Sequence, residues 1–184
     1  MMMIDNALAL HQPPANGTWA VSVSNVVVLF YDSRGLPSCV GAGEGPLVSI
    51  PGSFRFQSGT ITVTKAVNVS QPMIVDFSVS RDAVIFAELC RNGESSNLLV
   101  PDDACSMDLS SMSSSFLPLL SEILRVPGTY DIEEIPGDWT SPKEFIFDNP
   151  MPSGGWHVEA TVRQGETALT AISTGDEWVY VGRE

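Results

Sequence analysis

From Leu47 to Cys90 the chain reads LVSIPGSFRFQSGTITVTKAVNVSQPMIVDFSVSRDAVIFAELC. Within it SFRFQ, TITVTKAV, MIVDFSVS and AVIFAEL each lean on β-branched and aromatic residues, the side chains that fit a pleated, half-buried surface. Clusters of Gly, Ser and Pro separate the runs at short intervals. That spacing favours an all-β sandwich or barrel over alternating strand–helix–strand units. The pattern continues on both sides. TWAVSVSNVVVLFY, Thr18 to Tyr31, alternates and then becomes a continuous apolar run, which predicts a bent strand with one end fully buried. GTYDIEEI, EFIFDNP, GWHVEATVRQ, TALTAIS and DEWVYVGRE supply strands in the last third.

One segment has a different period. In SFLPLLSEILRVPG, Phe116, Leu119, Leu120, Ile123 and Leu124 recur at three- and four-residue steps, which predicts a short helix. Pro118 is tolerable there only in the first turn, and Pro127-Gly128 stops the pattern. The serine-rich lead-in, SSMSSS, reads as a loop. The expected fold is therefore all-β, an antiparallel immunoglobulin-like sandwich (a β-cup) with one short helix. The 184 residues suit one domain, 18–184, preceded by an N-terminal extension, 1–17. No internal repeat is present.

The hairpin expected near the C-terminus runs from the turn-forming Pro-Ser-Gly-Gly into Trp156. Val158, Ala160 and Val162 follow on the same face as Trp156. The returning strand puts Leu169 and Ala171 on one face and Thr170 and Ile172 on the other.

Charge removes several functions. The net charge is −13, from 22 acids against 9 Lys and Arg. So few cations cannot neutralise many phosphates, which argues against a nucleic-acid partner. Charge alone also disfavours docking on an anionic membrane. No apolar run reaches the ~18 residues needed to span a bilayer. His11 and His157 are dispersed and the three cysteines, Cys39, Cys90 and Cys105, lack metal-ligand spacing. No Gly-x-Ser-x-Gly elbow occurs. Adjacent acids such as Glu133 and Glu134 would face opposite sides of a strand, and Asp102 and Asp103 lie in a polar loop. The Gly-x-Gly-x-Gly of CVGAGEGP has no helix pattern behind it and reads as a flexible connection, not a phosphate loop. The expectation is a protein that is not an enzyme and uses neither metal nor cofactor.

What remains is binding. Phe54 and Phe56 share one face of their strand, as do Phe145 and Phe147. Two such strands could line a deep apolar cleft suited to a lipid tail or another hydrophobic small molecule. Phe77, Phe86, Phe116 and Trp156 complete the candidate wall. Cys90 and Cys105 flank a polar loop that a disulfide could staple. Asn16-Gly17-Thr18 and Asn68-Val69-Ser70 match the N-glycosylation sequon, a tripeptide that also arises often by chance.

The order of features from Pro46 to Ser173 resembles the ML lipid-recognition superfamily, nearest its ganglioside-activator branch. LVSIPG looks like that family's apolar strand leading into Pro-Gly, and MIVDFSVS like the strand that follows. A strand ending at Cys90, with Cys105 a short loop later, is similar. So is the Leu-rich helix and Gly-Thr-Tyr step in SFLPLLSEILRVPGTYDI. MPSGGWHVEATVRQGETALTAIS matches the closing hairpin, with Trp156 where the family usually has Tyr. The match spans roughly two-thirds of the chain and rests on order and spacing. The chain departs from the family at Ala171, which stands where the last strand usually carries a bridged cysteine. Cys39 is either the stranded partner or without counterpart.

The resemblance implies a non-enzymatic lipid-binding or transfer protein that holds acyl chains or a glycolipid between two sheets. The helix and its lead-in, Ser110 to Arg125, would border the mouth. It also implies a Cys90–Cys105 bridge and a secreted protein or one of a lysosomal or vesicular lumen. MMMIDNALAL lacks the basic start and cleavage pattern of a complete signal peptide, so that signal is expected to be removed or replaced. The competing expectation is a structural or protein-interaction sandwich with a solid core, of a surface, adhesion or capsid-like kind, with a protein partner.

Overall fold

The computed structural model describes residues 6–15, 17–40, 45–50, 52–85, 87–98, 100–109, 116–132, 139–140 and 154–183. In chain order the strands are β1 (Ala7–Leu10), β2 (Val21–Asp32), β3 (Leu47–Ile50), β4 (Gly52–Val63), β5 (Ile74–Arg81), β6 (Glu88–Arg91), β7 (Glu94–Ser95) and β8 (Ser106–Asp108). Helix α1 (Phe116–Leu124) follows, then β9 (Gly128–Asp131), β10 (Trp139–Thr140), β11 (Gly154–Gln164), β12 (Thr167–Ser173) and β13 (Val179–Arg183). They form two sheets packed as a sandwich, the all-β architecture read from the sequence.

The first sheet runs β1-β2-β4, with β10 and β9 sharing the far edge of β4. The second is centred on β11. One side of β11 pairs with β5, whose far edge carries β6 and β8, with β7 beyond β6. The other side pairs with β13 at its start and β12 at its end, and β3 lies beyond β13. The expectation of a purely antiparallel sandwich fails at one ladder, because β13 and β3 run parallel. Parallel neighbours need a long connection, and these strands stand far apart in the chain with most of the second sheet between them.

Four further differences from the sequence reading have local causes. SFRFQ and TITV form one strand, β4, bent where Gly59 takes φ +144° against the shifted register of β2 around Asn25. A Cβ at Gly59 would stand 2.8 Å from Ile132 Cδ1 and 3.0 Å from Val26 Cγ2, so glycine is required there. The apolar run of β2 is not buried throughout. Val26 and Val28 are buried while Val27 and Leu29 are only partly so, the alternation of a sheet covered on one face. AVIFAEL is not a strand before Glu88. There Asp82 N–H bonds Gly155 O, Ala83 N–H bonds Arg81 O and Arg81 N–H bonds Ala87 O, so the backbone is committed to a turn. Lastly, Ala7–Leu10 does not stand apart as an extension. It pairs with β2 and buries Leu8 to 3% exposure.

The helix lies where its period placed it, with Pro118 in the first turn. Leu120, Ile123 and Leu124 pack on the first sheet, and Val67 N–H caps the Leu124 carbonyl at 2.9 Å. The expected turn between β11 and β12 runs through Gly165, φ +56°, and a bulge falls at Val162/Arg163. Of the expected Pro-Ser-Gly-Gly turn, Pro152 and Ser153 lie outside the described residues and Gly154 and Gly155 already belong to β11. Leu169 and Ala171 are buried, Thr170 and Ile172 half-buried.

Candidate functional site: the space between the sheets

The register of each ladder sorts the side chains onto faces. On the first sheet Val28 stands opposite Phe56, Phe30 opposite Phe54, Val23 opposite Ile61 and Val21 opposite Val63. All are apolar and form the inner face. The outer face pairs Ser22 with Thr62, Ser24 with Thr60 and Leu29 with Arg55. On the second sheet Val75 stands opposite Val162, Phe77 opposite Ala160 and Val79 opposite Val158. The polar partners, Asp76 with Thr161 and Ser78 with Glu159, lie on the opposite face and are half-buried.

In a filled sandwich the two inner faces interdigitate into one core. Here the buried residues divide. One cluster, built wholly from the second sheet and its loops, holds Val75, Phe77, Val79, Trp156 and Val181 with Leu89, Val100 and the Cys90–Cys105 pair. The other holds Val21, Val26, Val28, Ile61 and Val63 with Leu124 and Leu169. No buried residue among the described residues belongs to both. Among the described residues, half-buried Leu109 and Val162 pack against each cluster and link them. Phe30, Phe54 and Phe56 on one inner face, with Val158 and Ala160 on the other, are likewise only half-buried.

The closure is uneven along the sandwich. The ends of β4 and β11 are tied together, since Gln164 Nε2 bonds Asn68 O at 2.8 Å, and Leu169 and Met73 join the first sheet's cluster. Phe54 and Phe56 lie at the opposite end of β4, their rings edge to face at 6.1 Å. One long side is zipped by backbone. His11 and Ser173 exchange bonds of 2.8 and 2.7 Å, joining the segment after β1 to β12. Gln12 spans the same seam: its Oε1 accepts Val23 N–H at 3.1 Å and its Nε2 donates to Thr170 Oγ1 at 2.9 Å. Ser38 and Ser49 hydroxyls, both buried, lie 2.7 Å apart nearby.

The expected wall residues thus fall into three sets. Phe54 and Phe56 line the first inner face and Phe77 and Trp156 the second, the latter pair at 4% and 2% exposure. Phe77 and Trp156 are filled core on their own sheet, and the half-buried Val158 and Ala160 pack beside them. Phe116 begins α1. Phe86, Phe145, Phe147, Glu133, Glu134 and Asn16 lie outside the described residues. Sequence reasoning missed Val158 and Ala160 as wall, although their alternation with Trp156 had placed them on that face. It also missed Gln12, a single polar residue in a Pro-rich stretch with no distinguishing pattern.

The polar features lie away from this space. Cys90 and Cys105 are bridged, and both are buried. Asn92-Gly93, both at positive φ, turn β6 into β7 inside the bridged loop. Cys39 is a free, exposed thiol. Arg163 pairs with Asp76 on the outer face of the second sheet. Asp32 is held below its ordinary pKa by the Arg34 guanidinium and the Leu36 amide. Glu88 is likewise lowered, by the Ser96 hydroxyl and then Arg91. His157 stacks against Trp178 with ring centroids 3.8 Å apart. No group of three metal-ligating side chains occurs among the described residues.

A second apolar feature sits at the end of the sandwich beyond the C-terminus of β5. Val84 and Ile85 are 101% and 68% exposed in the β5–β6 turn. Trp178 approaches from β13, against the same Gly155 whose carbonyl the turn grips. No described helix is long and apolar enough to cross a membrane.

No family model and no curated protein sequence matches the chain.

Proposed function

We propose that the protein is a non-enzymatic lipid carrier that holds acyl chains between its sheets. The observation that carries this reading is the divided core among the described residues: two apolar inner faces, each with its own buried cluster, with half-buried Phe54 and Phe56 packed against one and half-buried Val158 and Ala160 against the other. An apolar chain laid there removes that surface from water, at roughly 0.8 kcal/mol per methylene. The lining supplies no charge, which suits a hydrocarbon tail and leaves a polar headgroup at the mouth. The resemblance to the ML superfamily points the same way. The exposed Val84 and Ile85 give such a carrier an apolar contact with a bilayer, one that a chain of net charge −13 could not make by charge. A secreted or lumenal setting fits the buried disulfide, since such bridges persist in oxidising compartments.

The same exposed turn favours a second reading, an interaction module whose partner covers Val84 and Ile85. Native mass spectrometry of the purified chain, followed by organic extraction, separates the two. A carrier retains lipid near one per chain, released on denaturation. A chain that stays bare after incubation with fatty acids, phospholipids and glycolipids refutes the carrier and leaves the interaction module.

A further inference from the structure

A second, independent inference concerns covalent modification and holds whatever occupies the space between the sheets. Asn68-Val69-Ser70 forms the turn between β4 and β5. The sequon alone is weak, because the folded chain must also leave the asparagine exposed and give a bulky sugar room. Each condition is met. Asn68 and Ser70 are exposed. Asn68 Oδ1 accepts Ser70 N–H at 3.1 Å, which fixes the carboxamide over the turn. The turn beneath is anchored on both sides. Val69 packs into the first sheet's cluster, and Gln164 Nε2 bridges the Asn68 and Gln71 carbonyls at 2.8 and 3.3 Å.

Two observations away from the turn support it. The Cys90–Cys105 bridge, at 1% and 0% exposure, belongs to an oxidising compartment, which is where N-linked sugar is transferred. The position is also sterically harmless. Asn68 precedes β5 and the apolar Val84–Ile85 turn follows it, so the eight residues of β5 hold the two apart by about 25 Å at ~3.3 Å per residue.

We infer that Asn68 carries an N-linked oligosaccharide, at the end of the sandwich opposite the apolar turn. The test expresses the full chain behind a cleavable signal peptide in cultured animal cells. Both secreted and microsomal protein are then treated with peptide N-glycosidase. The expected result is a downward gel shift and an aspartate at position 68 in the released peptide. Ser70→Ala should abolish the modification at position 68 with an unchanged melting temperature, and Ser70→Thr should retain it. A bridged protein whose intact mass equals the bare polypeptide overturns the inference, as does a shift that survives Ser70→Ala in full.

Discussion

Ala160→Phe distinguishes a hollow sandwich from a filled one. Ala160 sits mid-strand on the inner face of the second sheet, between Phe77 on β5 and Ile172 on β12, and is half-buried. In a filled core the added ring has nowhere to go, and overpacking costs about 1–3 kcal/mol. For a chain of this length that lowers the melting temperature by roughly 2–4 °C per kcal/mol. In the divided core the ring enters the space between Ala160 and the half-buried Phe54 and Phe56. Unfolding free energy then changes by less than about 0.5 kcal/mol, the range of a substitution that strains nothing.

The same ring competes with ligand. It takes the room of about four methylenes, each worth ~0.8 kcal/mol, so it removes about 3 kcal/mol of acyl-chain binding. That is roughly a hundredfold rise in Kd at ~1.4 kcal/mol per tenfold. The assays are urea unfolding for stability and displacement of a fluorescent fatty acid for affinity. Ala160→Phe that unfolds at clearly lower urea, with wild-type affinity or with no ligand bound by either protein, refutes the reasoning. It would mean that the inner faces already touch.

Three other outcomes are expected. Replacing both Cys90 and Cys105 with Ala opens a loop of sequence separation 15, which should cost about 3 kcal/mol and be read as a melting temperature lower by roughly 6–12 °C. Val84→Ser with Ile85→Ser should leave the melting temperature unchanged, since both side chains are exposed, yet weaken sedimentation with neutral phospholipid vesicles; unaltered vesicle binding removes the turn from the carrier reading. Asp32 and Glu88 have folded pKa values lowered from 3.8 and 4.5, so their contribution is complete above the unfolded values and is lost as pH falls through the lowered ones. Melting temperature should therefore hold down to about pH 5 and decline below about pH 4, and a decline that begins near neutrality contradicts that assignment.

Much of this was legible in the residues because the side-chain period of a strand is two. TALTAIS and GWHVEATVRQ announced a hairpin, and their faces came out as the alternation required. Phe54 and Phe56 shared a face for the same reason. The helix was legible from its three- and four-residue steps. Elements set by backbone hydrogen bonding were not. AVIFAEL carries strand-forming side chains, but the turn is fixed by Asp82 and Arg81 amides that any sequence supplies. Whether two apolar faces touch is also invisible in a pattern, because a hollow sandwich and a filled one need the same alternation. Asn92-Gly93 was a readable signal, since Asn-Gly is the strongest short hairpin mark, and it lay inside a stretch that otherwise reads as a polar loop.

A sandwich with a divided core must gain elsewhere what interdigitated faces would supply, and its margins show where. The second sheet closes over its own cluster with the bridged loop, and Phe77 and Trp156 are buried within it. The first sheet is covered at one end by α1 and Leu169. The seam between β2 and β12 is joined by Gln12, whose one side chain satisfies Val23 N–H on one sheet and Thr170 on the other. Such bonds are directional and hold strand edges at a set separation, whereas apolar contact alone would draw the faces together. Ala171 of β12 is buried at that edge. Gln12 bonds the residue beside it and the Ala171 carbonyl at 3.5 Å, so hydrogen bonds from the N-terminal segment hold this edge. The segment around β1 thus belongs to the first sheet and ties it to the edge of the second through His11 and Gln12.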